Sequence, residues 1–142
     1  MKVRWLCDSS RWPLVVLSVP AGTHPDDIDT DSFYEEAEKL FARGERFAAA
    51  ADLRLRAPLN AARRRRYADW MRTNAPVMRR LQVAGASIAE NAVQGGIVTA
   101  IHWITRPPYP ARTFLDLEPA LLWMQDCLSR SLAGELLASD AT

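Results

Sequence analysis

The stretch from Trp103 to Leu128, WITRPPYPARTFLDLEPALLWMQDCL, constrains the fold more than any other. Prolines at 107, 108 and 110 forbid a helix through its first half, since proline lacks an amide proton and restricts the residue before it. A helix over Gln94 to Thr105 therefore has to end there, with Ile97, Val98, Ile101 and Ile104 expected to face inward. After the prolines, Arg112 to Leu115 reads as a short strand. Asp116 then caps a last helix, Pro119 sits harmlessly in its first turn, and Ala120, Leu121, Met124 and Leu128 form its buried stripe. Helix, loop, strand and helix in that order belong to a layered α/β domain.

The rest of the chain repeats the alternation. Val3 to Cys7 and Leu14 to Val19 read as two strands around the turn DSSRWP, where Asp8, Ser9 and Ser10 satisfy backbone groups locally. Leu14-Val15-Val16-Leu17 is a continuous apolar run, as in a strand covered on both faces. Asp31 to Arg43 is the clearest helix: Ser32 and Glu35 have capping-box spacing, and Gly44 stops it. Phe33, Tyr34, Ala37, Leu40 and Phe41 form its apolar face. Phe47 to Asp52, FAAAAD, is helical by propensity; with the stop at Gly44 before it and a loop after Asp52 it reads as a central strand whose small side chains let helices approach closely, with a helix as the alternative. Pro58 and Asn60 open a second helix with Tyr67, Trp70, Met71 and Met78 to Leu81 inside, kinked or split at Pro76. Val83 to Glu90 is a strand whose central Gly-Ala-Ser implies tight packing.

The order β-β-α-β-α-β-α-β-α predicts an α/β domain over residues 1–133. Its sheet is mixed and mostly parallel, of about five strands with an N-terminal antiparallel hairpin, and it carries about four helices. Residues 134–142 are small and polar and are expected to fray.

At this point the chain resembles a family. The element order and the closing pattern PPxP…FxDxxxALxWM, Pro107 to Met124, are similar to the STAS-like domains related to anti-sigma-factor antagonists. The resemblance spans roughly Val3 to Leu128 and rests on structural motifs. It implies a small, cytoplasmic, non-enzymatic domain that docks to a protein partner or dimerises. In the antagonists a phosphorylated serine or threonine lies at the turn after the central strand. Here that turn, Asp52 to Asn60, contains no hydroxyl, so the resemblance carries no phosphorylation switch to it, and Arg54 and Arg56 occupy the rim instead.

Charge is uneven although the net value is only +1. Arg54 to Arg80 holds nine arginines against one acid, while His24 to Arg46 holds eight acids against three bases. On a helix Arg64 and Arg65 should point to solvent, with Arg63 and Arg66 bordering the Tyr67–Trp70 face. The plainest reading is a solvated face whose stems cover apolar surface. The functional reading is a grip on an acidic protein or, as the alternative, on an anionic ligand or nucleic acid. A protein ranks above nucleic acid because the sequence has no glycine-rich phosphate loop, no DNA-binding motif and no basic total charge. Trp5 and Trp12 in the opening hairpin are candidate exposed contacts, whereas Trp70, Trp103 and Trp123 read as core. The candidate partner-binding set is thus Trp5, Trp12, Arg54, Arg56, Arg63, Arg64, Arg65 and Arg66.

No catalytic constellation emerges. Asp27, Asp29, Asp31 and Glu38 have part of a calcium-loop spacing, but Ser32 stands where that loop needs glycine, and helix capping accounts for the same acids. His24 and His102 lack clustered acids or thiols and no nucleophile elbow exists. Cys7 and Cys127 read as structural thiols in a reducing compartment. A cleft near Asp52 and Glu90, at the C-terminal ends of the strands, is the place an enzyme of this class would use, but no motif supports one. No cofactor, metal or membrane association is expected, and the cytoplasm is the expected compartment.

Overall fold

A computed structural model describes residues 2–54 and 60–140. Its strands are β1 (Val3–Arg4), β2 (Leu6–Arg11), β3 (Leu14–Ser18), β4 (Ile28–Asp29), β5 (Phe47–Asp52), β6 (Gln82–Ile88) and β7 (Ala111–Phe114). Its α-helices are α1 (Thr30–Ala42), α2 (Ala61–Leu81), α3 (Ala92–Thr105) and α4 (Leu117–Asp140). Five strands form the main sheet in the order β2-β3-β5-β6-β7, with β2 antiparallel to β3 and the rest parallel. β1 and β4 make a small parallel pair beside it. The expected α/β class, antiparallel edge and central place of β5 are all present.

The alanines of β5 act as anticipated. Ala48 and Ala50, with Ala84, Ala86 and Ile88 of β6, meet Ala120, Leu121, Met124 and Leu128 of α4 on one face. Small strand residues let the helix sit close, and the predicted α4 stripe is the one buried. On the other face Val15, Phe47 and residues of α1 and α2, among them Leu40, Phe41, Met71 and Met78, form a second core. β6 alternates accordingly, so Gly85 and Ser87 point to the α1–α3 side.

Several local expectations give way. The hairpin turn is tighter than DSSRWP suggests: β2 runs to Arg11, with a bulge between Asp8 and Arg11 where Asp8 Oδ1 accepts from the Ser10 amide. The Trp12–Pro13 peptide between β2 and β3 is cis. α2 is not split at Pro76, which lies exposed inside one continuous helix, because Met71, Met78 and Leu81 anchor both halves to the sheet. α4 continues past Ala133 to Asp140.

Ser32 is not the cap of α1. That role falls to Asp29, whose Oδ1 accepts from the Asp31 amide, while Glu35 turns outward to Arg4. Ser32 is instead fully buried: its hydroxyl donates to the Asp29 carbonyl and accepts from the Trp5 amide. It thereby accepts from a buried backbone donor that lies between β1 and β2. Ser32→Ala removes both of these buried hydrogen bonds, and the expected loss is about 1–3 kcal/mol. The check is a lower urea midpoint at unchanged m-value.

Trp5 is also corrected. It is 4% exposed, packs edge-on against Phe33 and forms a small core with Leu17 and Ile28, so it offers no surface to a partner. Trp103 is corrected the other way, at 79% exposed rather than core. The cause lies in α3, which bears no Asp, Glu, Lys or Arg and is apolar on most of its circumference. Its periodicity cannot choose an inward side. Tertiary packing does so through Gly95, whose added Cβ would lie 3.6 Å from Thr113 Cγ2, and through Val98 and the Thr99–Thr113 hydroxyl pair. Ile97 and Ile104, expected inside, are consequently exposed.

Candidate functional site

A cleft opens on the α1–α3 side, at the C-terminal ends of β5 and β6, where open parallel sheets commonly bind ligands. It encloses about 170 Å³. The floor is Ala51 and Ser87, which are register partners in β5 and β6. Phe33 and Tyr34 of α1 form one wall, and Ile97, Val98, Ile101 and His102 of α3 form the other. The space exists because small floor residues face bulky wall residues that hold the helices apart. A smaller cavity of about 60 Å³ continues inward over Ala49 and Gly85 and shares Ser87, Tyr67 and His102 with it.

Arg63 and Arg66, at the start of α2, stand at the mouth. Asn60 caps that helix, its Oδ1 accepting from the Arg63 amide, and this fixes where the two arginines emerge. Arg66 pairs with Asp31 and lies over the Tyr34 ring at 4.6 Å, so the basic segment and the acidic segment meet here. Arg63 has no acidic partner among the described residues. No carboxylate or thiol lines the cleft among the described residues.

The polar atoms inside the cleft are few. Ser87 is 7% exposed and its hydroxyl has no hydrogen-bond partner among the described residues. His102 is half-buried, and burial pushes its pKa down, so its imidazole is neutral near pH 7. Burial pushes the Tyr34 hydroxyl up, and that of Tyr67 up to about 12 despite its hydrogen bond to Tyr109.

No protein-family model and no curated protein matches the sequence. Among solved structures, the chain is similar to an uncharacterised DUF3478-family protein with a SpoIIAA-like fold from Shewanella loihica PV-4. The match has 14% identity and a TM-score of 0.55, and it covers 87% of this chain and 94% of that one. The chain has a STAS-like fold.

Within this STAS-like domain the remaining sequence candidates are dispersed. Trp12 stacks on Phe47 and donates its indole N–H to Glu45, with the Arg43 guanidinium 4.2 Å from its ring. Arg54 is folded back onto Asp52 through both its Nε and Nη2. Burial alone would raise the Asp52 carboxyl, but those hydrogen bonds and the arginine charge outweigh it and hold it below the usual range. Arg64 and Arg65 are exposed and do not line the cleft, and Arg56 lies outside the described residues. The acids of the calcium-like spacing serve separate ends: Asp29 caps α1, Asp31 meets Arg66, and Glu38 accepts from the Trp70 indole. His24 caps a short 3-10 turn with Nδ1. Cys7 and Cys127 are half-buried, and burial pushes both thiols up. Among the described residues no helix is long and apolar enough to cross a membrane.

Neither Ser87 nor the α3 wall is among the residues that the sequence singles out for a site. The signal for the floor was present: two adjacent strands with Ala49 and Ala51 against Gly85 and Ser87 leave a sheet face too shallow to fill.

Proposed function

We propose that this STAS-like domain is a non-enzymatic protein-interaction module that self-associates through the outer side of α3. One observation carries the reading. Val93, Gly96, Ile97, Ala100, Trp103 and Ile104 occupy one arc of the helix, all are exposed, and none is polar. A contiguous apolar face of this kind on a small domain marks an interaction surface.

The partner that fits it best is a second copy of the chain. The arc carries no charge, so it has nothing to complement in a charged partner. Gly96 and Ala100 lie between larger side chains, which gives the face both projections and recesses. A two-fold axis sets such a patch against itself. One helix face is smaller than a typical obligate interface, so the expected dissociation constant lies in about the micromolar range.

Sedimentation velocity over a concentration series tests this. Wild type is expected to dimerise, and Trp103→Glu with Ile104→Glu is expected to be monomeric at an unchanged melting temperature, since both side chains are about four-fifths exposed. Arg64→Gln with Arg65→Gln is the control and should leave self-association intact. A wild type that stays monomeric throughout, or a glutamate variant that still dimerises, sinks the proposal.

A further inference from the structure

The geometry points to the cleft between α1, α2 and α3 as a binding site for a small amphipathic carboxylate that carries a second polar atom at its far end. Three independent features define that ligand. The volume, about 170 Å³, is close to the ~150 Å³ of an apolar cavity that takes benzene, so the body is one ring or a short chain. The walls Phe33, Ile97, Val98 and Ile101 are apolar and call for an apolar body.

The two ends differ. At the mouth, Arg63 presents a guanidinium without an acidic partner among the described residues, and this planar donor matches a carboxylate. At the floor, the Ser87 hydroxyl is buried without a hydrogen-bond partner among the described residues, a condition that native interiors rarely tolerate without a role. β6 alternation aims it into the cleft, because Ala86 and Ile88 on either side pack toward α4. His102, neutral and half-buried on the α3 wall, has one donor and one acceptor nitrogen and no side-chain hydrogen bond among the described residues. A hydroxyl on the ligand can both donate and accept there. A hydroxyaryl carboxylate satisfies the ring-sized body, the anionic end and the polar tip together.

The two polar anchors of this assignment, Ser87 and Arg63, are not on the outer arc of α3; Ile97 is shared by that arc and the cleft wall, so the test varies only the anchors. Titration of the isotope-labelled protein with 4-hydroxyphenylacetate and with phenylacetate, followed by amide NMR, tests it. Both probes should give saturable shifts around the cleft, with the hydroxylated one tighter by about threefold to tenfold, as one added hydrogen bond allows. Ser87→Ala should abolish that preference while leaving phenylacetate binding unchanged. It removes only an unpartnered hydroxyl, so the fold should survive it. Arg63→Gln should weaken both probes by about two- to fivefold and flatten their salt dependence. The assignment is overturned if neither probe gives saturable shifts at the cleft, or if the preference persists in Ser87→Ala.

Discussion

Phe47→Ala is expected to lower the unfolding free energy by about 3–5 kcal/mol, the range for removing a buried aromatic side chain. Phe47 is 1% exposed and opens the central strand β5. Its ring stacks on Trp12 at 5.7 Å and lies 6.0 Å from Phe41, so one side chain joins the hairpin, the sheet and α1. Truncation removes its own burial and the aromatic contacts, and each such pair contributes about 0.5–1.5 kcal/mol beyond area. Set against the ~5–15 kcal/mol that holds a domain of this size, the loss is large enough to populate the unfolded state under mild denaturant. Urea titration measures it directly. Leu122→Ala, on the exposed side of α4, is the comparison and should change stability by less than about 0.5 kcal/mol. Near-equal effects of the two substitutions would mean that the α1–α2 core does not depend on this ring.

Gly85→Ala is expected to cost about 1–3 kcal/mol by overpacking. A Cβ at this position would meet Cε1 of Tyr109 well inside van der Waals contact. Tyr109 cannot turn aside freely: it is half-buried and packs against the core that α1 and α2 form, and its hydroxyl is engaged by Tyr67 and Gln82. The diagnostic is a double-mutant cycle. Tyr109→Ala leaves a cavity and destabilises by itself, but adding Gly85→Ala to it should then cost close to nothing, because the obstructing ring is gone. Strict additivity would show that the glycine is needed for some reason other than this contact. The close approach also matters to the cleft, since Gly85 and Tyr109 bound the small cavity that continues from its floor.

Much of this molecule was legible from local rules. Alternation of apolar runs with amphipathic stretches, the stop at Gly44 and the prolines before β7 specify the element order, and steric and hydrogen-bonding rules act within a few residues of each. The α4 stripe was readable for the same reason: Ala120, Leu121, Met124 and Leu128 recur at helical spacing against a polar background. The small residues of β5 and β6 likewise imply close helix packing, though not on which face of the sheet.

Tertiary structure decided what local pattern leaves degenerate. α3 is apolar around most of its circumference, so only its docking on β7 through Gly95 and Val98 determines that Trp103 and Ile104 face outward. Ser32 has the spacing of a cap, but a distant amide, that of Trp5, needs a buried acceptor, and satisfying it outweighs a solvent-exposed capping bond. Arg63 and Arg66 could be placed beside an aromatic face from the sequence, yet not at the mouth of a cleft, because the opposite bank belongs to α3. Ser87 is legible locally only as one small residue among those of β6, and nothing nearby in the chain marks it as part of a site. Its hydroxyl, unpaired among the described residues, acquires meaning only where β5 and β6 lie side by side under three helices, since burial and pairing are properties of the assembled chain.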